Sequence, residues 1–436
     1  MKRRAFLKNT LTSMSMVALS PGVMLNNHAM ASLGDNKALV CIFLAGGNDS
    51  HNMFVPAKES LYTQYKAAKG KIALNLEEMV HTGLSGDLDL MMHPALTPLK
   101  DLFLGKNGTV ILNSGNLIQP GSKSDFELGV VPSIPRRGSH SDMQHAKRRG
   151  QVDGELTTGW GGRLMVALNE QVNGLPPSYN IQGTSNFLVG TQFQPAIITN
   201  KSGLKEFESR PTVEDAVKQD IAATRFDLFR QQINVIKGEM LSVDEGMKTI
   251  LETPITNDFG TSSIGEDLEL VAKVIKNNAS LAVNEQQSRQ IFYVTLGGFD
   301  THKNQLASQT KLYEQLAEAI VAFQAEMNNS PNVTTFTMSD FGRTLLSNGE
   351  GTGHGWAGHE LIIGGAVDGG RYFGNIEDLN HLGEFSIDER GRMIPSISSD
   401  QVGATLATWF GIEDYALDAV FPNLVNFEER NLGFMI

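Results

Sequence analysis

The sequence predicts an α/β protein built on a largely parallel sheet, and three observations lead there. Several runs are apolar on both faces and end in glycine turns. Helical patterns lie between them. One strand–helix–strand succession, 289–340, has the length of a crossover unit, and such units imply parallel strands joined right-handedly.

The elements follow in order. "KALVCIFLAGGND" is continuously apolar, as a strand covered on both faces must be, and "GTVILNSGN" (108–116), "RQIFYVTLGGFD" (289–300) and "NVTTFTMSD" (332–340) read the same way. "HELIIGGAV" (359–367) is a fifth candidate. Apolar residues spaced by three and four predict helices over 212–241 and 265–283, a clearer one from Thr310 to the Asn328–Asn329 pair, and a closing helix over 399–412 with a glycine stop. "HPAL" (93–96) reads as a helix start. The Gly, Pro and Ser of 118–138 predict a long loop, and 176–211 reads as irregular with room for a small β insertion. With 436 residues, 41% hydrophobic, one α/β domain with insertions fits better than two independent domains.

The first 31 residues read as an address. Arg3 and Arg4 precede Phe6, Leu7 and Lys8, a short apolar run follows, and Ala29–Ala31 offers a small-x-small cleavage site. This pattern resembles a twin-arginine export signal, with cleavage expected after Ala31 and a periplasmic or secreted location expected for the mature chain. The apolar run is too short for a stable membrane span. Removing four basic and no acidic residues takes the formal net charge from −12 to −16, which argues against nucleic acid and anionic membrane surfaces as partners. The single cysteine, Cys41, lies in an apolar run and reads as a buried small hydrophobe.

Chemistry gathers at the predicted strand ends, where open α/β sheets place ligands. Asp49 follows "LAGG", Asp300 and His302 follow "TLGG", Asp340 follows "TFTMS", and His354 and His359 lie in the loop beyond. Carboxylates and imidazoles converging from several elements suit a divalent metal. A second cluster, "RRGSHSDMQHAKRRG" (136–150), precedes a helix. Ser139 or Ser141 there is either a nucleophile at a helix N-terminus or an ordinary N-cap. His140 is a ligand, an acid–base group or a polar loop residue, and the arginines bind anions or face solvent. Arg343 is a candidate to orient Asp340 or meet an anion. Trp160 and Arg163 read as packing residues.

The ordered motifs "FLAGGNDSHNMFVP", "HPALTPL", "GSHSDMQ", "GWGGRL", "GGFDTHKNQ", "SDFGRT" and "GHGWAGHELIIGGAV" resemble a bacterial family, domain of unknown function 1501, over about residues 37–430. That family is similar to a distant branch of the alkaline phosphatase and sulfatase superfamily. The resemblance implies a doubly wound sheet with helices on both faces, one or two divalent ions (zinc, manganese or calcium) at the strand ends, and a nucleophile at a helix N-terminus. It implies metal ligation by Asp49, Asp300, His302, Asp340 and His354 or His359, and a nucleophile at Ser139; His140 and Arg343, read from the residues themselves, complete the candidate catalytic set. The sequence departs from the superfamily pattern at Phe341, where a ligand histidine is expected, and in the short Asp300-x-His302 spacing. It departs from the family pattern at Gly353, where a carboxylate is common. These departures weigh against a second ion and against turnover. Two readings follow: a metal-dependent hydrolase of small anionic phosphate or sulfate esters, or a non-catalytic cell-envelope binding or assembly protein on a degenerate hydrolase fold.

Overall fold

A nine-stranded sheet forms the frame of the computed structural model, which describes residues 36–436 apart from 133, 135, 151–156, 169–175, 192–193, 200–202, 205–214, 216–217, 220–243 and 283–284. The segment expected to direct export and nearly all of the helix expected over 212–241 lie outside the described residues.

Strand Lys37–Leu44 runs through the middle of the sheet. It pairs in parallel with Arg289–Leu296 on one side and Val333–Ser339 on the other, with Leu44 level with both Leu296 and Ser339. The crossover helix Gln305–Glu326 therefore carries the chain across this central strand. Alternate residues of the strand feed two cores: Val40, Ile42 and Leu44 pack with helices Ser263–Ser280 and Gln305–Glu326, and Leu39, Cys41 and Phe43 pack with helix Ser399–Phe410. Helices thus cover both faces, and Cys41 is buried as expected.

Four differences from the sequence reading have physical causes. Strand Gly358–Gly364 is antiparallel to both Val333–Ser339 and Gly108–Gly115, so the sheet is mixed. The chain reaches it through the short pair Arg343–Ser347 and Thr352–His354 rather than through a crossover helix. The helix expected at Thr310 begins at Gln305, because the buried polar side chains of Gln305 and Gln309 hide its first turn from an apolar-spacing argument. Within 176–211, strands Ser178–Ile181, Ala196–Thr199 and Gly203–Leu204 extend one edge of the main sheet instead of forming an insertion. The start expected at 93–96 is a 3-10 turn, Pro94–Leu99, capped by His93, whose Nδ1 accepts the Ala95 N–H at 3.1 Å.

The long loop after Gly108–Gly115 holds a short helix, Lys123–Glu127, with a capping box from Ser122 and Asp125. Its Phe126, Val131 and Ile134 form a small separate core with Phe341, Trp356 and Met143. That core fixes the approach to helix His140–Arg149. Among the described residues no helix is long and apolar enough to cross a membrane.

Candidate metal centre

Three level strands deliver three aspartates to the carboxyl end of the sheet. Asp300 follows Arg289–Leu296, Asp340 follows Val333–Ser339, and Asp49 follows the strand between them. The glycine pairs allow the turns to nest. Gly46 has φ +116°, and a Cβ there would lie 2.4 Å from the Asp300 nitrogen; at Gly47, φ +81°, it would lie 2.3 Å from the Phe341 ring. Only glycine fits such positions without strain.

The centre itself is built from Asp300 and three imidazoles. Asp300 Oδ1 lies 3.5 Å from His140 Nε2, 3.0 Å from His302 Nε2 and 3.2 Å from His354 Nε2. His140, Asp300 and His354 offer ligand atoms that all lie within 4.8 Å of one another. The far side of each ring decides its proton. His140 Nδ1 lies 2.7 Å from Asp340 Oδ2, a carboxylate that accepts, so Nδ1 carries the proton. His354 Nδ1 lies 2.7 Å from the Gly138 carbonyl and carries its proton for the same reason. In their neutral forms both rings turn an Nε2 lone pair toward Asp300, which is how metal-bound histidines are held by their outer partners. The His140 Nε2 is closed to water and has no hydrogen-bond partner. A buried acceptor facing a carboxylate is costly unless a cation lies between them. The donor set therefore fits a divalent ion.

His302 is different. The Arg343 guanidinium donates to its Nδ1 at 3.2 Å, so in the neutral ring the proton sits on Nε2, which donates toward Asp300 and faces His354 Nε2 at 3.0 Å. Burial, with the nearby Arg343 charge, holds its pKa below the ordinary value. His302 adjoins the centre as a donor rather than a ligand. Arg343 is wholly buried and spent on structure: it donates to Asp300 Oδ1 at 2.9 Å, to the Gly46 carbonyl at 3.1 Å and to Thr352. It orients Asp300 and His302, not Asp340. Against partial desolvation, its hydrogen bond and charge keep the Asp300 carboxyl below the usual range.

The resemblance implied ligand roles that the geometry assigns otherwise. Asp340 is buried, its Oδ2 accepting from His140 and from Gln144 Nε2 at 2.9 Å and its Oδ1 from Gly46 N–H at 3.1 Å, so it orients His140. Asp49 lies outside the set, fully buried against the Lys69 ammonium at 2.5 Å, with Gln305 Nε2 at 2.6 Å on the same oxygen. Burial depresses the Lys69 pKa, and Asp49 opposes that. His359 is likewise buried; its Nδ1 accepts from Asn113 N–H, its ring meets His51 edge-on, and burial lowers its pKa to about 4. The Phe341 ring lies 4.9 Å from His140 and 4.8 Å from His354, so an apolar surface backs the ligands.

Ser139 is the N-cap of helix His140–Arg149 and accepts the Asp142 N–H at a long 3.4 Å, with Ser141 Oγ at 3.1 Å. Among the described residues it has no imidazole or carboxylate within hydrogen-bonding distance. Sequence reasoning missed Gln144, Gln305, Lys69 and the Gly138 carbonyl. Gln144 was within reach, since it stands four residues after His140 on one helical face.

A family model described as "Protein of unknown function (DUF1501)" matches residues 279–383, the stretch that carries Asp300, His302, Asp340, Arg343 and His354. The family resemblance read from the sequence is borne out there. No curated protein matches the chain. Solved structures similar to it include the C-terminal periplasmic domain of EcEptC from Escherichia coli in complex with Zn (12% identity, 88% of this chain and 84% of that one, TM-score 0.35). They also include the PsFucS1 sulfatase from Pseudoalteromonas sp. (10% identity, 84% and 70%, TM-score 0.34) and a TAB5 alkaline phosphatase mutant with Mg bound (10% identity, 80% and 96%, TM-score 0.29). Overlaps of this size bear no weight in assigning function.

Proposed function

We propose that this chain is a one-metal hydrolase of phosphate or sulfate esters that works in the cell envelope. The orphaned His140 Nε2, turned with His354 Nε2 toward one Asp300 oxygen, carries the proposal. His140, Asp300 and His354 would hold the ion. Two imidazoles and a carboxylate suit zinc or manganese better than calcium, which prefers oxygen donors throughout. When bound, the ion supplies the charge that polarises an ester oxygen and eases loss of a hydroxyl proton.

The chain's residues supply the rest. Ser139 is the proposed nucleophile, at the N-terminus of a ten-residue helix whose free N–H groups favour an anion. His302 directs its Nε2–H at Asp300, and Arg343 keeps that carboxylate ionised and aimed. Phe341 limits water behind the ligands. The paired-arginine leader supports export of the folded protein with its ion already in place; Ser32 as the first residue of the mature protein would check that leg of the proposal.

The test is metal content by mass spectrometry on protein purified without chelator, followed by a phosphate and sulfate ester panel. About one equivalent of metal and turnover are expected. His354→Ala should lose both, and Ser139→Ala should keep the metal and lose turnover. Two observations favour a second reading, a non-catalytic metal-holding binding protein: among the described residues no side-chain base reaches Ser139, and Asp49 is held by Lys69. Loaded protein that turns over no ester would decide for it.

A further inference from the structure

Beside the metal centre, a pair of arginines carries charge that the fold does not neutralise. Arg137 precedes Gly138, whose carbonyl anchors His354. Its guanidinium stacks 4.8 Å above the Trp356 ring, and that ring is fixed by the indole N–H donating to the Asn116 carbonyl at 2.7 Å. Arg392 donates its Nε to the His354 carbonyl at 2.7 Å and its Nη1 to Asp388 Oδ2 at 2.7 Å. Arg392 Nη2 lies 3.7 Å from the point a Cβ on Gly138 would occupy, so the two arginine loops touch.

The charges do not balance. Asp388 is the one carboxylate serving the pair among the described residues, and it is taken by Arg392. Arg137 makes no ion pair there, and its Nη1 is closed to water without a hydrogen-bond partner. Burial and the adjacent Arg392 charge both disfavour the charged Arg137, and only Asp388 opposes them. The ring contact fixes the plane of the Arg137 guanidinium while its charge stays unpaired. Planar forks fixed in this way suit the oxygens of a tetrahedral oxyanion.

We propose that Arg137, with the free Nη2 of Arg392, forms a subsite for a phosphate or sulfate group that the ligand carries in addition to the ester being cleaved. The substrate class this names, an ester bearing a second tetrahedral oxyanion, rests on the hydrolase reading above. The anion subsite itself does not.

The experiment is a calorimetric titration of the full mature chain with inorganic sulfate and, separately, with inorganic phosphate, in metal-stripped and metal-loaded forms. Wild type should bind in both forms. Arg137→Met keeps the apolar stem over Trp356 and should weaken binding by about tenfold or more, the loss expected for a charge-assisted hydrogen bond. Arg137→Lys should recover part of it, and melting temperature and metal content should stay at wild-type values for both variants. Equal affinity in wild type and Arg137→Met would overturn the proposal, as would wild-type binding only in the loaded form. Arg137-dependent binding to stripped protein that turns over no ester would keep the subsite and sink the hydrolase.

Discussion

Asp49 and Asp300 leave neighbouring strands through nearly the same words, Leu-Ala-Gly-Gly-Asn-Asp and Leu-Gly-Gly-Phe-Asp. Their fates are opposite. Asp49 is sealed against Lys69, while the Asp300 side chain, 46% exposed, faces three imidazoles. Both carboxylates sit at a strand end, and both have a histidine two residues on. What separates them is the cation each one finds. Lys69, at the end of helix Glu59–Lys69, places an ammonium on Asp49 and also donates to the Thr344 carbonyl. Among the described residues no side-chain ammonium reaches Asp300; the Arg343 guanidinium pairs with it at 2.9 Å, and two lone pairs remain turned toward it. On the proposed reading, Asp300 can take an ion because the Arg343 guanidinium holds it from one side while two imidazole lone pairs face it from the other, and those partners lie far away in the sequence.

The largest effect should come from breaking the sealed end. Lys69→Met leaves Asp49 charged, unpaired and wholly buried, and removing one partner of a buried pair typically costs about 3–5 kcal/mol. Denaturant unfolding of the variant should show a loss of that order, with the metal content of the centre retained. A loss below about 1 kcal/mol would mean that Asp49 does not depend on Lys69, and the contrast between the two ends would collapse.

This contrast also marks how far the sequence could be read. The strands were legible because burial on both faces writes largely apolar runs, and most of the strand ends were legible because the run stops at glycine. Asp300, His302 and His354 were found by position and do meet, and Asp340 joins them through His140. Their division into ligand, donor and orienter was not legible, because it depends on which atom faces each far-side nitrogen. Gly138 and Arg343 decide that for His354 and His302, across 216 and 41 positions of chain. His359 carried the right residue type in the right loop, yet its strand turns it into the interior beside His51. Lys69 gave no signal at all, being one lysine among several on an amphipathic helix.

The buried histidines sharpen the comparison through pH. Burial lowers the His93 pKa to about 4, and its Nδ1 must stay unprotonated to cap Pro94–Leu99. The unfolded chain protonates this ring below the ordinary value near 6.5 and the fold does not, so the unfolded state binds more protons between about pH 6.5 and 4. Stability should therefore fall as pH drops through that window and level off below it, by about 3 kcal/mol for this group. His93→Asn keeps a capping acceptor without the titration. Measured from pH 7 to 4, the stability of wild type minus that of the variant should decline by that amount. Parallel profiles would show that His93 is not held neutral by the fold.

Asp340 gives the finest test, because it separates an orienting carboxylate from a ligating one. Its two oxygens accept only, from Gly46 N–H on one side and from His140 and Gln144 on the other. An amide cannot copy this. Whichever way Asp340→Asn turns, its NH2 meets a donor, either Gly46 or the His140–Gln144 pair. His140 then loses the partner that fixes its Nδ1 proton, or the loop at Gly46 loosens. Loss of such an outer partner typically lowers metal affinity 10–100-fold, and competition with a chelator of known affinity should find a weakened but saturable site of unchanged stoichiometry. A variant that retains no metal at any free concentration tested would make Asp340 a ligand after all, and the centre would then include two strand-end aspartates in place of one.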